Sequence, residues 1–368
     1  MKNYIWYMIL AALCIMFVQW QGSNITPANA APLPPLVESN SQEEPNLLVN
    51  GNMEELPFYW EPPNHWVAGG WERWWIGDVI PEYDDVRAWR PYRHDGDHAQ
   101  IYFWIWPQGY TAGIFQQVAV QPCTFYQFDM YGRNSSYNAD YHARIGIDPL
   151  GRKYSIHMEP FPADVVWSPE QTFHNTWGQH IVVTEAYSDH VTAITYVSPD
   201  PGFPPYDTFW DTGRLFQVQP PDGRLPAPDQ LDSDGFITNV ITSTSLDYLV
   251  VEWDTLAPAS SQVWYSIMDT TTVTSTSPYT ESVIYLPLVL NNYGAIPTFQ
   301  YFTPADQTQV THHKARLGPF SAGDQKLQFI VLSRRMDGGD CRTSASELVE
   351  TTFHVGTVYH LYLPLIVR

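Results

Sequence analysis

Tryptophan is concentrated in one short part of the chain. Of 15 tryptophans, eight lie between residues 60 and 106: Trp60, Trp66, Trp71, Trp74, Trp75, Trp89, Trp104 and Trp106. The same stretch is rich in proline, glycine and charge, which predicts strands and loops and argues against a buried helix. An indole ring either packs in a core or stacks on a flat apolar face, such as the C–H face of a sugar ring. Two interpretations therefore stay open: an exposed sugar-binding surface, or the core of an aromatic-rich β-sandwich.

The N-terminus has the three parts of a secretory signal peptide. Lys2 is followed by an apolar stretch over residues 4–18 and by the small-residue site Ala28-Asn29-Ala30. This pattern predicts a signal peptide over residues 1–30. No later segment is long and apolar enough to span a bilayer. We therefore expect a mature chain without a transmembrane segment, secreted or held at the cell surface.

The charge balance is strongly acidic. The chain has 18 basic and 39 acidic residues, a formal net charge of −21. Such a surface repels nucleic acid and anionic membranes. It is compatible with cations, with neutral polysaccharide or with solubility alone.

Two cysteines remain after signal cleavage, Cys123 and Cys341. They fall in different predicted domains, which disfavours a shared disulfide, although the sequence leaves their pairing open. No cysteine and histidine spacing typical of a metal site is present.

Short strands separated by turn signals fill most of the chain and predict an all-β protein of two sandwiches. No amphipathic helix interrupts the strands of the first sandwich. A Thr/Ser-rich run suggests an insertion in the second sandwich, and a Tyr-Leu-Pro-Leu motif near residue 285 recurs near residue 362. The predicted parts are the signal peptide (1–30), a linker (31–45), a jelly-roll domain (46–218), a linker (219–235), a second sandwich (236–356, insertion about 268–309) and the C-terminal Tyr-Leu-Pro-Leu segment (357–368).

The first domain resembles CenC-type carbohydrate-binding modules. The opening pattern of that family matches residues 46–54, with Met53 in place of the usual phenylalanine. A middle pattern matches residues 115–126, with Cys123 in place of glycine, and a closing strand matches residues 207–211. The resemblance implies a jelly-roll β-sandwich and leaves the ligand open.

The second domain resembles a fibronectin type III sandwich of the kind that precedes the catalytic part of purple acid phosphatases. Residues 251–265 carry the resemblance, followed by 311–313 and 329–333. The metal motifs of those phosphatases are absent from the sequence. The resemblance therefore implies the sandwich and not the chemistry.

The strongest candidate surface is the predicted strand 101–106. Side chains alternate between the two faces of a strand. If Ile101, Phe103 and Ile105 face the core, the other face is an aromatic ladder available to a glycan. The ladder consists of Tyr102, Trp104 and Trp106, and a predicted loop with Trp71, Trp74 and Trp75 either covers it or forms one wall of a cleft.

The family resemblance also implies a structural calcium ion. In the resembled modules a glutamate of the opening strand and an aspartate of the closing strand join carbonyl oxygens around the ion, which binds hard oxygen ligands. Glu54 and Asp211 stand at the matching positions. The alternative is a pair of ordinary surface carboxylates.

Motifs for catalysis are not recognisable. The acidic residues Glu82, Asp84 and Asp85 do not have the spacing of a jelly-roll glycosidase, and no serine elbow, phosphate loop or zinc-protease helix occurs. We expect a non-catalytic exported protein that binds polysaccharide or a cell-surface glycan. The alternatives are a structural surface-layer or adhesion protein with no sugar ligand, and a glycosidase or lyase with an unrecognised site. The sequence does not give the oligomeric state.

Overall fold

The structure is a computed structural model that describes residues 44–355. Within that range, residues 62–64, 87–91, 136–138, 159, 203, 229–234 and 269–297 are not described. The predicted signal peptide, most of the first linker, both Tyr-Leu-Pro-Leu motifs and most of the predicted insertion lie outside the described residues. The rest of the predicted insertion, residues 298–309, contains one short strand and the beginning of another.

The described residues form strands and connecting loops with no α-helix, so the all-β prediction is confirmed. None of them belongs to a helix able to cross a membrane. The strands are β1 Tyr59–Glu61, β2 His65–Val67, β3 Glu72–Ile76, β4 Glu82–Asp85, β5 Gln100–Trp104, β6 Thr111–Ala119, β7 Phe125–Asn134, β8 Arg144–Asp148, β9 His157–Met158, β10 Val166–Trp167, β11 Gly178–Glu185, β12 His190–Tyr196, β13 Tyr206–Gln217, β14 Ile237–Ser245, β15 Tyr248–Met268, β16 Tyr301–Phe302, β17 Asp306–Leu317, β18 Gly323–Asp337, β19 Asp340–Ala345 and β20 Val349–Val355.

The first thirteen strands form two sheets that pack face to face. The first sheet has the order β1-β2-β4-β5-β13-β7-β11, and the second has the order β10-β8-β12-β6-β3-β9. Neighbouring strands are antiparallel except for β2 with β4 and β3 with β9. One hydrophobic cluster joins the two inner faces, with Phe128 and Trp210 from the first sheet and Ile114 and Ile145 from the second. This arrangement is a β-sandwich.

The third sheet contains β14 to β20 and is organised by one long strand. The first half of β15 pairs with β14 and β17, and its second half pairs with β16 and β18. Register shifts between Asp254 and Ala259 separate the halves. Trp253, in the first half, donates Nε1–H to Ser333 Oγ on β18 at 3.1 Å, so the halves share a core. The fibronectin type III assignment stays a prediction.

A disulfide and a buried ion pair connect the third sheet to the first sandwich. Cys123, before β7, bonds to Cys341 on β19, with their Cα atoms 5.4 Å apart. The two cysteines are therefore paired, although their positions in different predicted domains disfavoured a shared disulfide. Packing at this junction brings them together: Arg334 on β18 forms a two-pronged ion pair with Glu185 at the end of β11, including an Nη2 to Oε2 bond of 2.8 Å.

The disulfide closes a very long loop, because 218 positions separate its two cysteines. A crosslink of this kind stabilises a fold chiefly by restricting the unfolded chain. We expect C123A/C341A to lower the free energy of unfolding by about 2–5 kcal/mol, measured by urea denaturation. Reduction of the parent protein should produce the same loss, and an unchanged midpoint in both experiments would contradict this role.

His180 is a buried group of the first sandwich. It is 2% exposed, lies between Phe173 and Trp210, and neither ring nitrogen has a hydrogen-bond partner among the residues that the structure describes. Burial lowers the pKa of His180 to about 4. Between pH 6.5 and pH 4 the unfolded chain therefore binds a proton that the folded chain does not, so stability falls as the pH falls through this range.

Replacing His180 by leucine removes this pH dependence. At pH 7 we expect H180L to be at least as stable as the parent, because a buried ring without hydrogen bonds is exchanged for an apolar side chain. Between pH 7 and pH 4 the variant should lose roughly 2 kcal/mol less stability than the parent in urea unfolding. A loss equal to that of the parent would show that His180 titrates normally.

Candidate functional site

The predicted aromatic ladder does not form one exposed surface. The strand ends at Trp104, and Tyr102 faces the core with no exposed surface. Its hydroxyl lies 3.0 Å from Thr195 Oγ1 of the second sheet, and burial raises the pKa of Tyr102. The two faces are thus reversed relative to the prediction: Tyr102 and Trp104 pack in the core between the sheets, and Ile101 and Phe103 pack in a separate cluster on the other face.

The other predicted ligand-binding residues divide between core and surface. Trp71 and Trp74 are 1% and 0% exposed, so neither forms a wall of an open cleft. Their segment is mostly strand β3 of the second sheet. Trp71 and Trp75 pack in the core between the sheets, and Trp74 packs in a separate cluster with Phe115 and Ile194. Trp75 and Trp104 are half-buried, with the Arg73 guanidinium 5.3 Å from the Trp75 ring centroid. Trp106 lies beyond the strand and is 55% exposed.

Two other tryptophans form an exposed pair that the sequence interpretation did not select. Trp60 on β1 lies directly opposite Trp66 on β2 in an antiparallel register, and opposite residues project from the same face of a sheet. They are 52% and 38% exposed. Their neighbours in the same register, Tyr59 and Val67, pack against the core. The two indoles therefore project from the outer face of the first sheet.

Two carboxylates project from the same outer face on the adjacent strand. β2 pairs with β4 in parallel through His65 and Tyr83, whose rings meet inside the sandwich with centroids 5.5 Å apart. Alternation then places Trp66 and Asp84 side by side on the outside, about 5 Å apart along the hydrogen-bonding direction. Glu82 follows on the same side, two residues along β4. Asp84 and Glu82 are both exposed.

The tryptophan pair and these carboxylates make an outer-face site. We define it as Trp60, Trp66, Glu82 and Asp84. The hairpin pattern could have identified the pair: Trp60 and Trp66 lie symmetrically about the Pro62-Pro63-Asn64 segment, in a Tyr-Trp-Glu and His-Trp-Val context. Two short strands around a turn-forming segment predict such a pairing.

Glu54 and Asp211 are brought together, as the family resemblance implied, but their oxygens face N–H groups. Glu54 Oε1 accepts hydrogen bonds from the backbone N–H groups of Asp97 and His98, at 2.8 and 2.6 Å. Asp211 Oδ2 accepts from His94 and Asp95. Gly96 in this loop has a φ of +56°, and a Cβ there would lie 2.4 Å from Glu54 Oε1. The two carboxylates therefore hold the loop 94–98 against the sheet.

This arrangement does not fit a calcium ion. A cation needs several oxygens directed at it, whereas the oxygens of Glu54 and Asp211 that face the loop 94–98 accept hydrogen bonds from its backbone N–H groups. Asp211 is fully buried, and burial, with a smaller contribution from the Glu54 charge, raises its pKa to about 7. We derive no role for calcium from this site.

Calcium therefore should not stabilise the protein. A ligand that binds only the folded state raises its stability by mass action, by about 2.7 kcal/mol at a concentration one hundred times its Kd. We expect the thermal midpoint of chelator-treated protein to stay the same when millimolar calcium is added. A calcium-dependent rise that E54Q and D211N each abolish would show instead that the two carboxylates are ligands.

Comparison with known proteins gives only distant structural similarity. No protein-family model and no curated protein sequence matches the chain. The galactotriose complex of the carbohydrate-binding module TmCBM61 is 15% identical, with a TM-score of 0.32, over 47% of this chain and 99% of that one. The enzymatically active domain of bacteriophage CBA120 tailspike protein 4 is 12% identical, with a TM-score of 0.33, over 47% of this chain and 21% of that one. The adhesin domain of Epf from Streptococcus pyogenes is 9% identical, with a TM-score of 0.31, over 80% and 95%. These scores are low, and the sandwich assignment rests on the sheets described above.

Proposed function

We propose that this protein binds a glycan without catalysis, at the cell surface or outside the cell, through the outer-face site. The observation that carries the proposal is the exposed Trp60–Trp66 pair. Large aromatic side chains on a folded surface favour a partner that covers them, because their apolar area is otherwise left in water. A sugar ring offers both a C–H face for an indole and hydroxyl groups for a neighbouring carboxylate.

The geometry of the site supports recognition of a sugar over a purely apolar partner. The rings of Trp60 and Trp66 supply apolar area at low conformational cost. Asp84 and Glu82 lie beside them and are strong acceptors for hydroxyl O–H donors. Aromatic area beside fixed polar acceptors is the usual composition of a specific small-molecule or sugar site.

Location outside the cytoplasm is supported by independent features. The predicted signal peptide directs export. The Cys123–Cys341 disulfide is of a kind that persists in oxidising compartments. The net charge of −21 disfavours nucleic acid as a partner. Together these features support polysaccharide or a cell-surface glycan.

The position of the carboxylates supports binding over hydrolysis. A glycosidase holds two carboxyl groups on either side of the bond that it cleaves. Glu82 and Asp84 project from one side of one strand, so both would approach a sugar from the same direction. A glycosidase or lyase whose site lies elsewhere on the chain is the competing catalytic hypothesis, and release of reducing ends from polysaccharide by purified protein would establish it.

The proposal is tested with tryptophan variants of residues 31–368 on a glycan array and by calorimetry with the glycans that bind. Removing either indole of the pair should lower affinity about tenfold, which corresponds to about 1.4 kcal/mol of lost stacking. W60A/W66A should bind no glycan measurably. W106A is the matched control, because Trp106 is as exposed as Trp60 but lies outside the pair.

Each result of this experiment supports or opposes the proposal. Loss of binding in W60A/W66A with retention in W106A supports the outer-face site. Loss of glycan binding only in W106A would instead place the glycan site at Trp106, one of the predicted ligand-binding residues. Failure of the parent to bind any glycan would favour the structural or adhesion alternative.

A further inference from the structure

We infer that the glycan bound at the outer-face site carries free amino groups, because two exposed tryptophans stand beside two exposed carboxylates that form no ion pair with any basic side chain the structure describes. The inference rests on the proposed glycan-binding function. It specifies the chemical class of the ligand: a polysaccharide with protonated amino sugars.

The carboxylates and the indole rings lie next to each other on neighbouring strands. Asp84 is the neighbour of Trp66 across the β2–β4 pairing, since His65 and Tyr83 define that register. Trp60 lies next to Trp66 on the other side. A transverse row on the outer face therefore runs from indole to indole to carboxylate. Glu82 extends the negative charge along β4 by two residues, about 7 Å.

No basic side chain that the structure describes pairs with either of these charges. Neither Glu82 nor Asp84 forms an ion pair among the described residues, and the Asp84 carboxylate accepts the backbone N–H of Asp85. Other carboxylates of the same sandwich do have basic partners: Asp148 pairs with Arg152 at 2.7 Å, and Glu72 pairs with Lys153 at 2.9 Å. The site thus keeps two negative charges beside an apolar surface, where a cation would gain most from binding.

A cationic sugar suits both the indole rings and the carboxylates of the site. A protonated amine is attracted to the face of an indole and to a carboxylate, and the two contacts are compatible at one position. An N-acetylated or neutral sugar can stack and form hydrogen bonds, but it leaves both charges uncompensated. A uronic acid would be repelled. The net charge of −21 would also attract a cationic polymer at long range and low salt.

Two ligands that differ only at the nitrogen test the inference. We use β-1,4-linked hexamers of glucosamine and of N-acetylglucosamine, at a pH that protonates the amine, with the protein chain from residue 31 to 368. Calorimetry should show the glucosamine hexamer binding at least tenfold more tightly. The ratio of the two affinities should fall as the salt concentration is raised, because screening weakens exposed charge pairs.

The carboxylates are tested by E82Q/D84N. In this variant we expect the affinity for the glucosamine hexamer to exceed that for the N-acetylglucosamine hexamer by less than threefold. D222N/D340N is the matched control: it changes the net charge equally at two exposed aspartates outside the first sandwich, and it should keep the tenfold preference. Equal binding of the two hexamers by the parent, or an unchanged ratio in E82Q/D84N, would overturn the inference.

The Trp60/Trp66 variant separates failure of this inference from failure of the proposed function. If W60A/W66A loses both hexamers while E82Q/D84N leaves the ratio intact, the site binds glycans but does not select amines. If W60A/W66A binds both hexamers as the parent does, the outer-face site is not the glycan site, and the inference fails with it.

Discussion

The side chains that the first sheet exposes to solvent depend on two tyrosines, Tyr83 and Tyr102, whose hydroxyls reach across the core to the second sheet. The Tyr83 hydroxyl donates to the carbonyl oxygen of Trp74 at 2.7 Å, and the Tyr102 hydroxyl meets Thr195 Oγ1 at 3.0 Å. Trp74 and Thr195 belong to the second sheet. These contacts fix which residues of β4 and β5 point inward, and a shift of one residue would exchange every side chain between the two faces. The exposed positions of Glu82 and Asp84 follow from this constraint.

The same register extends to the edge of the sheet, where the outer-face site lies. His65 packs against Tyr83, so Trp66 must face outward, and the β1–β2 pairing places Trp60 beside it. The site is therefore built on paired strands that join β4 through His65 and Tyr83, and a binding surface on strands is positioned more accurately than one on a loop. Farther away, the disulfide and the Arg334–Glu185 pair join the third sheet to this sandwich.

Strand content and fold class could be predicted from the sequence because they depend on local alternation and turn signals. The sequence could not predict which side chains of a strand face the core. Residues 101–106 alternate aliphatic and aromatic side chains, and both faces are apolar, so the pattern does not say which set is inside. Tyr102 is inside because the second sheet provides a partner for its hydroxyl. The Cys123–Cys341 bond was missed for a related reason: proximity across 218 positions depends on how the sheets pack. The pairing of Trp60 with Trp66 could have been predicted, since their symmetric spacing about the Pro62-Pro63-Asn64 segment is visible in the sequence.

The central claim, that Trp60 and Trp66 contact a glycan, is tested most directly by NMR of the indole N–H groups. W60F and W66F assign the two signals, and the glucosamine hexamer is then titrated into the parent protein. We predict that the Trp60 and Trp66 signals shift together and saturate, while those of the buried Trp71 and Trp74 stay in place. Saturable shifts confined to other tryptophans, with Trp60 and Trp66 unchanged, would contradict the account.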